Sequence, residues 1–495
     1  MRLGVLFSGG KDSTYAALLA QQAGHELCCL ITLQSANPDS FMFHTPSISA
    51  TAAQAKAMDL PHLTVTTPGQ EGQELSELHD ALRRAQEEHG ITGVISGAVA
   101  STYQATRVQK ACHALGLWCF NPLWQMDQLA LLRAIVDQGF LAVITAVAAS
   151  PLDARWLGRA IDDAFISDVA SLATAHGINP AGEGGEFESL VLDCPLFKHP
   201  LRVASYQDSG AGHAWRREVR LEAGISEDKQ HSPREENTVQ PRQTAQTNNP
   251  IEQKQTGKQR PTVLLISTCA EPLSEREFVD PFARIVERFG ARWIKRHHTE
   301  LDDRHGPAKE RSEEEQTDQQ DADAVIICGT ALADNAYLEG STLPSVLEWL
   351  RAWDGPLLGI CAGMQLLGLA YGGELRAGLE IGLYDEEFED GISVDGFEDG
   401  DSGDGEAPGR ESGFLGLTGA QQVWHLHGKY TAFNRLLFSV MAESQKRTDS
   451  RSIIQAVRHK TLPHYGALFH PEVRQEQCIQ GFISLIRARP DAQRP

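Results

Sequence analysis

The sequence predicts an α/β protein built as two doubly wound parallel-sheet domains joined by a disordered linker. Three observations carry that prediction. Short apolar runs alternate with helical stretches from residue 2 onward, as a parallel sheet covered by helices requires. The alternation stops over 226–260, where Val239, Ala245 and Ile251 are the only hydrophobic residues, and so polar a stretch cannot bury enough surface to fold alone. It restarts at Thr262. The expected organisation is therefore a first domain over 1–225, a flexible linker over 226–260 and a second domain over 261–495.

Residues 2–7 read as the first strand, a glycine-rich turn follows, and a helix is expected from Thr14. Further strands are expected at 26–33, 93–96 and 141–148, with a helix at 48–58. In the second domain the strands fall at 262–267, 324–328 and 356–360, and a helix at 278–289. Two polar insertions interrupt that domain, at 302–323 and 385–406. The second is rich in Asp and Glu, holds no Lys or Arg, and reads as a solvated surface loop.

A chain of 495 residues with 41% hydrophobic and 22% charged residues is an ordinary globular protein of more than one domain. Its net charge of −22 argues against a broad nucleic-acid-coating surface and leaves room only for a local basic groove. No apolar run has the length of a membrane span, and the chain enters a strand directly from Met1, so a cytoplasmic protein without membrane attachment is expected. The nine cysteines include no CxxC pair and several lie in apolar runs. Reduced core thiols are expected, rather than a disulfide framework or a structural zinc site.

Between the first strand and the first helix stands Ser8-Gly9-Gly10-Lys11-Asp12-Ser13. Two glycines let the backbone approach a phosphate chain, the helix N-terminus presents free N–H groups, Lys11 adds a positive charge, and Ser8 and Ser13 add hydroxyls. The spacing differs from GxxxxGK[ST], in which the lysine follows a longer loop. Asp12 is either a metal or hydroxyl contact or an ordinary residue of the helix start. The motif resembles the SGGxDS loop of the PP-loop ATP pyrophosphatases, which grip the leaving pyrophosphate and cleave ATP between its α and β phosphates.

Later segments narrow the resemblance. They are 36–45 (ANPDSFMFHT), Gly97-Ala98-Val99-Ala100-Ser101-Thr102-Tyr103-Gln104, Trp156-Leu157-Gly158-Arg159, Gly182-Glu183-Gly184-Gly185-Glu186-Phe187-Glu188-Ser189, and 192–197 (LDCPLF). Together they resemble the diphthine-ammonia ligase (diphthamide synthase) branch of that family, over about residues 1–205. Cys194 departs from the glycine expected in much of the family. The resemblance implies a HUP-like fold, ATP and Mg²⁺ as cofactors, nucleotide contacts from Ser8, Gly9, Gly10, Lys11, Asp12, Ser13 and Gly97, and Asp12 as the metal contact. Glu183, Glu186 and Glu188, flanked by glycines, could hold a metal, orient an amine or recognise a cationic substrate.

A second constellation lies at Pro356-Leu357-Leu358-Gly359-Ile360-Cys361-Ala362-Gly363-Met364-Gln365, an apolar strand ending in a G-x-C-x-G turn before a helical run. Small neighbours allow the sharp elbow that exposes a nucleophile, and a thiol at a helix N-terminus ionises more easily. About 110 residues downstream, Tyr465-Gly466-Ala467-Leu468-Phe469-His470-Pro471-Glu472 supplies a histidine and a carboxylate just beyond another apolar strand, the base and its orienting acid. The set is similar to the class I glutamine amidotransferases, over about 262–490, and implies a flavodoxin-like fold. By that resemblance Cys361 attacks the glutamine amide, His470 moves the proton and Glu472 fixes the imidazole. It further implies that Ala362 and Gly329 supply the oxyanion hole and that Gln365 and His427 contact L-glutamine.

Both resemblances together imply a glutamine-hydrolysing, ATP-dependent amide ligase. A substrate carboxylate is adenylated with release of pyrophosphate, and ammonia from glutamine displaces AMP. Diphthine on translation elongation factor 2 is the acceptor that the family name implies. Two alternatives stay open on sequence: a PP-loop enzyme that modifies a tRNA base, and a non-catalytic ATP-binding sensor.

Overall fold

The computed structural model describes residues 1–35, 50–67, 74–224, 260–304, 322–389, 413–445 and 452–488. The expected linker falls almost entirely outside them, as do 36–45, 305–321 and 390–412.

The N-terminal half opens with β1 (Arg2–Leu6), α1 (Lys11–Gln22), β2 (Glu26–Ser35), α2 (Thr51–Met58), β3 (His62–Thr67), α3 (Glu74–His89), β4 (Gly93–Ile95), α4 (Thr102–Ala114) and β5 (Trp118–Phe120). Its sheet runs β3-β2-β1-β4-β5, and every pair is parallel. Leu3 and Val5 of β1 are fully buried, as expected for a central strand covered on both faces. α1 starts at Lys11, three residues before the expected Thr14, because the glycine turn leads straight into the helix.

Next come α5 (Gln128–Asp137), β6 (Leu141–Val147), α6 (Asp163–His176), β7 (Phe187–Asp193), β8 (Leu201–Ala211) and β9 (Ala214–Ala223). These four strands form a separate sheet of order β7-β6-β9-β8. β6 is the strand expected at 141–148, but it pairs antiparallel with β7 and β9 rather than joining the parallel sheet. An apolar run identifies a buried strand without specifying the direction of its neighbours.

The C-terminal half contains β10 (Thr262–Ser267), α7 (Glu275–Phe278), α8 (Asp280–Arg288), β11 (Arg292–His297), β12 (Ala324–Ile327), α9 (Leu343–Ala352), β13 (Leu357–Ile360), α10 (Ala362–Ala370), β14 (Glu374–Phe388), β15 (Gly419–Ala432), β16 (Phe438–Gln445), β17 (Ser452–His459), β18 (His464–Ala467), α11 (Pro471–Arg474) and α12 (Glu476–Ala488). One nine-stranded sheet runs β11-β10-β12-β13-β18-β17-β16-β14-β15. The first five strands are parallel, and those from β18 to β15 pair antiparallel.

The acidic insertion expected as a surface loop begins inside a strand. Residues 385–388 belong to β14, and Glu386 is buried because alternation turns it to the covered face of the sheet. All nine cysteines are reduced and buried, as expected. Among the described residues no helix is long and apolar enough to cross a membrane.

Candidate active sites

β1 lies mid-sheet with β2 on one side and β4 on the other. The connections reverse there and leave a crevice beyond the strand ends. Ser8, Gly9 and Gly10 turn the chain above it, and Lys11 starts α1, so the first N–H groups of the helix open onto that crevice. The turn is tied to itself: Ser8 N donates to Ser13 Oγ at 3.3 Å, and Ser13 Oγ donates to Gly10 O at 3.3 Å. Lys11 is 4% exposed, and its Nζ donates to Asp12 Oδ2 at 2.8 Å. Gly97, just past β4, lies against the first turn of α1, where a Cβ would stand 2.7 Å from Ser13 N.

The three candidate carboxylates divide. Glu183 faces the phosphate loop: burial and then the charge of Asp12 raise its carboxyl to about 7, with Lys11 opposing. Glu186 accepts hydrogen bonds from Asn179 N, Asn179 Nδ2 and Gly184 N, each at 2.8 Å, so both its oxygens hold its own loop together. Glu188 sits on β7, pushed up to about 7 by burial with Arg216 opposing. Asp12 Oδ1 is buried with no hydrogen-bond partner among the described residues.

In the C-terminal half, β13 runs into Cys361, whose φ of 49° and ψ of −102° form a strained elbow, and α10 begins at the next residue. The thiol donates to Leu426 O at 3.6 Å. His470 follows the last parallel strand, and its Nδ1 donates to Glu472 Oε1 at 2.8 Å, with both side chains buried. Burial works against charging His470, but the Glu472 carboxylate and the Cys361 thiol outweigh it and raise the ring to about 10. With Nδ1–H held by Glu472, Nε2 is the nitrogen left to take a proton.

A cavity of about 180 Å³ opens beside the thiol, lined in part by Cys361, Ala362, Tyr337, Gln365 and His427. The Tyr337 hydroxyl donates to Gln365 Oε1, and Gln365 Nε2 donates to Lys429 O at 2.9 Å. The His427 ring nitrogens lie 3.1 Å from Gly378 O and 3.0 Å from Glu380 Oε2. Gln365 and His427 thus stand in the cavity wall with their polar atoms engaged by the protein.

Three family models match the chain: the diphthamide synthase N-terminal domain over 1–119, the diphthamide synthase C-terminal domain over 127–220, and glutamine amidotransferase class-I over 297–482. The human diphthine–ammonia ligase is 35% identical over 224 residues, covering 41% of this chain and 84% of that one. The chain belongs to the diphthine–ammonia ligase family. The relative from Schizosaccharomyces pombe is 35% identical over 209 residues, 39% of this chain and 34% of that one. The second half resembles other proteins: one of the subunits of the glutamine-hydrolysing GMP synthase of Methanosarcina barkeri is 29% identical over 171 residues, 34% of this chain and 75% of that one.

In this member of the diphthine–ammonia ligase family the two halves meet beside the thiol site. Glu277 on α7 accepts from Asn121 N and Asn121 Nδ2, both at 3.0 Å, and from Gln109 Nε2 at 3.5 Å. Trp124 packs on Trp424 with ring centroids 5.8 Å apart, and Trp424 O accepts from His470 N at 2.8 Å. His113 of α4 lines the cavity that holds Cys361. Sequence reasoning misses all of these. Asn121 and Trp124 follow directly on β5, a position at the carboxyl end of a parallel strand that is the one signal pointing to them.

Proposed function

We propose that the chain is a glutamine-dependent, ATP-consuming amide ligase. The observation that carries this reading is the buried Cys361, His470 and Glu472 set, in a chain whose other half aligns with diphthine–ammonia ligases. In the C-terminal half the Cys361 thiol gives its proton to His470 Nε2, and the sulfur attacks the side-chain carbonyl of L-glutamine. The N–H groups of Ala362 and Gly329 hold the developing oxyanion, while Gln365 and His427 form the wall of the glutamine pocket. His470 returns the proton to the departing nitrogen, which leaves as ammonia. Water then frees glutamate from the thioester.

In the N-terminal half, Ser8, Gly9, Gly10, Lys11 and Ser13 cradle the ATP phosphates, and Gly97 keeps α1 close to β4 so that the crevice keeps its shape. The acceptor carboxylate attacks the α-phosphorus, pyrophosphate leaves, and ammonia displaces AMP to give the amide. The residues present suit Mg²⁺. Asp12 Oδ1 is buried without a partner, and Glu183 is raised partly by the charge of Asp12, a repulsion that a cation relieves. Asp12 and Glu183 would hold the ion, which would supply charge neutralisation on the phosphates. Glu186 acts by shaping the loop. The name of the curated relatives supports diphthine on translation elongation factor 2 as acceptor, amidated in the cytoplasm.

Replacing Cys361 with Ala tests the division of labour. Glutamine-driven product should vanish while ammonium salts still support amide formation. Loss of both activities, or retention of both, would reject the reading.

A further inference from the structure

β14 and β15 pair antiparallel next to the thiol site, and their register sets Glu380 opposite His427 and Gly382 opposite His425. His425 and His427 are two residues apart on one strand and so share a face, on which Glu380 also projects. Among the described residues this is where three ligand-type side chains converge, with one donor atom from each lying within 4.8 Å of the others. His427 Nε2 stands 3.0 Å and His425 Nδ1 stands 3.6 Å from Glu380 Oε2. Metal bonds of 2.0–2.1 Å in a tetrahedral shell separate neighbouring ligand atoms by about 3.4 Å, and the two observed separations bracket that spacing.

Proton placement makes this more than a histidine–carboxylate contact. His427 Nδ1 lies 3.1 Å from Gly378 O, a carbonyl that can only accept, so Nδ1 carries the hydrogen. Burial lowers the basicity of His427, which keeps the ring neutral, and its Nε2 then presents a lone pair to Glu380 Oε2. That oxygen already accepts from Gln455 Nε2 at 2.8 Å. Two electron pairs therefore face one another across 3.0 Å, an arrangement that a cation between them stabilises. The outer contacts match as well: His425 Nε2 faces Glu386 Oε1 at 3.4 Å, the carboxylate–histidine pairing that orients a metal ligand. Gln455 is fully buried, and its Oε1 has no hydrogen-bond partner among the described residues.

We propose that Glu380 Oε2, His425 Nδ1 and His427 Nε2 bind one divalent transition-metal ion of the zinc type. Two imidazoles and one carboxylate in a buried setting suit such an ion better than Mg²⁺ or Ca²⁺, which take oxygen shells. Cysteine spacing gives no sign of this site, since none of its ligands is a thiol. The ion fixes β15 on both sides of Leu426, whose carbonyl receives the Cys361 thiol, so it acts as a brace behind the glutamine pocket.

The test uses the full-length chain, purified without a chelator and without a metal-affinity tag. Elemental analysis should find one equivalent of zinc. After chelator treatment, Co²⁺ should restore one equivalent and show the intense visible bands of four-coordinate cobalt, without the near-ultraviolet band of a cobalt–thiolate bond. Glu380→Gln and His425→Gln should lower retained metal at least tenfold, whereas Cys361→Ala should retain it. A metal-free chain that takes up neither Zn²⁺ nor Co²⁺ would overturn the proposal. So would a thiolate band, loss of metal in Cys361→Ala, or undiminished binding in both ligand variants. The cobalt spectrum of the parent chain reads the site even where a variant folds poorly.

Discussion

Gly329 lies so close to His470 that a methyl group on it would stand 2.8 Å from the imidazole Cε1 and 3.4 Å from the Cys361 Cβ. The residue is thus a spacer between the base and the nucleophile as well as a source of an N–H group. In Gly329→Ala the ring or the elbow must shift by a good fraction of an ångström. A displacement of about 1 Å costs on the order of 100-fold in rate where geometry carries the chemistry. Glutamine hydrolysis should fall by about that factor, while ligation fed by ammonium salts stays near the parent level. Assaying both nitrogen sources on the same preparation checks this, and an unaltered glutaminase would remove Gly329 from the site.

Lys11 is buried and held by Asp12, with its Nζ 5.5 Å from the centre of the Phe187 ring. A lysine kept out of water with a single carboxylate partner is poised for a polyanion. Lys11→Ala should abolish AMP formation with either nitrogen source, and Lys11→Met, which keeps the packing, should do the same. AMP release at the parent rate from the methionine variant would show that the phosphate charge is met elsewhere.

Glu183 and Glu186 lie three residues apart yet should respond differently. Glu183 is raised to about 7, first by burial and then by Asp12, so it is protonated below that pH and charged above it. Its contribution to fold stability is therefore greatest below the ordinary carboxylate range and is lost as pH rises through about 7. Ligation that needs the charged form runs the other way and should fall as pH drops below about 7. Glu183→Gln should remove that acid limb from the pH profile of ligation and leave the glutaminase profile intact. Glu186→Gln must lose at least one of three hydrogen bonds, a local cost of about 1–3 kcal/mol, and should weaken ligation more than glutamine hydrolysis without moving the limb. Superimposable pH profiles for the parent and Glu183→Gln would argue against its role at the phosphates.

The parallel cores of both halves are legible because strands covered on both faces read as unbroken apolar runs. Every residue of β10 is buried, for example. The triad is equally legible, since a thiol elbow and a histidine two residues before a glutamate are local patterns. β5 has only three residues, too few to show a period. α3 does carry one, with Leu78, Ala81, Leu82 and Ala85 buried on a single face, and a stricter reading of 3.6-residue spacing finds it. The acidic run misleads because composition hides alternation: Glu386 points inward from a strand whose neighbours point out. Residues of the contact between halves are the least readable, since an acid such as Glu277 becomes buried only when another part of the chain covers it.

Glu277 provides the last prediction. It is fully buried at the contact between the halves, and burial raises it to about 7 against the bonds from Asn121. If the halves separate, the carboxyl returns to the solvated range, so docking depends on protonation. The group favours the docked state most below its solvated pKa, and that contribution is lost as pH rises through about 7. Phe278, next in sequence, packs its ring 5.7 Å from that of His470, so a shift at Glu277 reaches the base directly. Asn121→Ala removes one donor and leaves the carboxylate poorly satisfied, a loss of about 1–3 kcal/mol in docking. The variant should release more glutamate per amide formed than the parent, and in the parent itself that ratio should climb as pH rises through about 7. Measuring glutamate and amide together over that range reads the coupling. A ratio indifferent both to pH and to the substitution would show that nitrogen transfer does not depend on this contact.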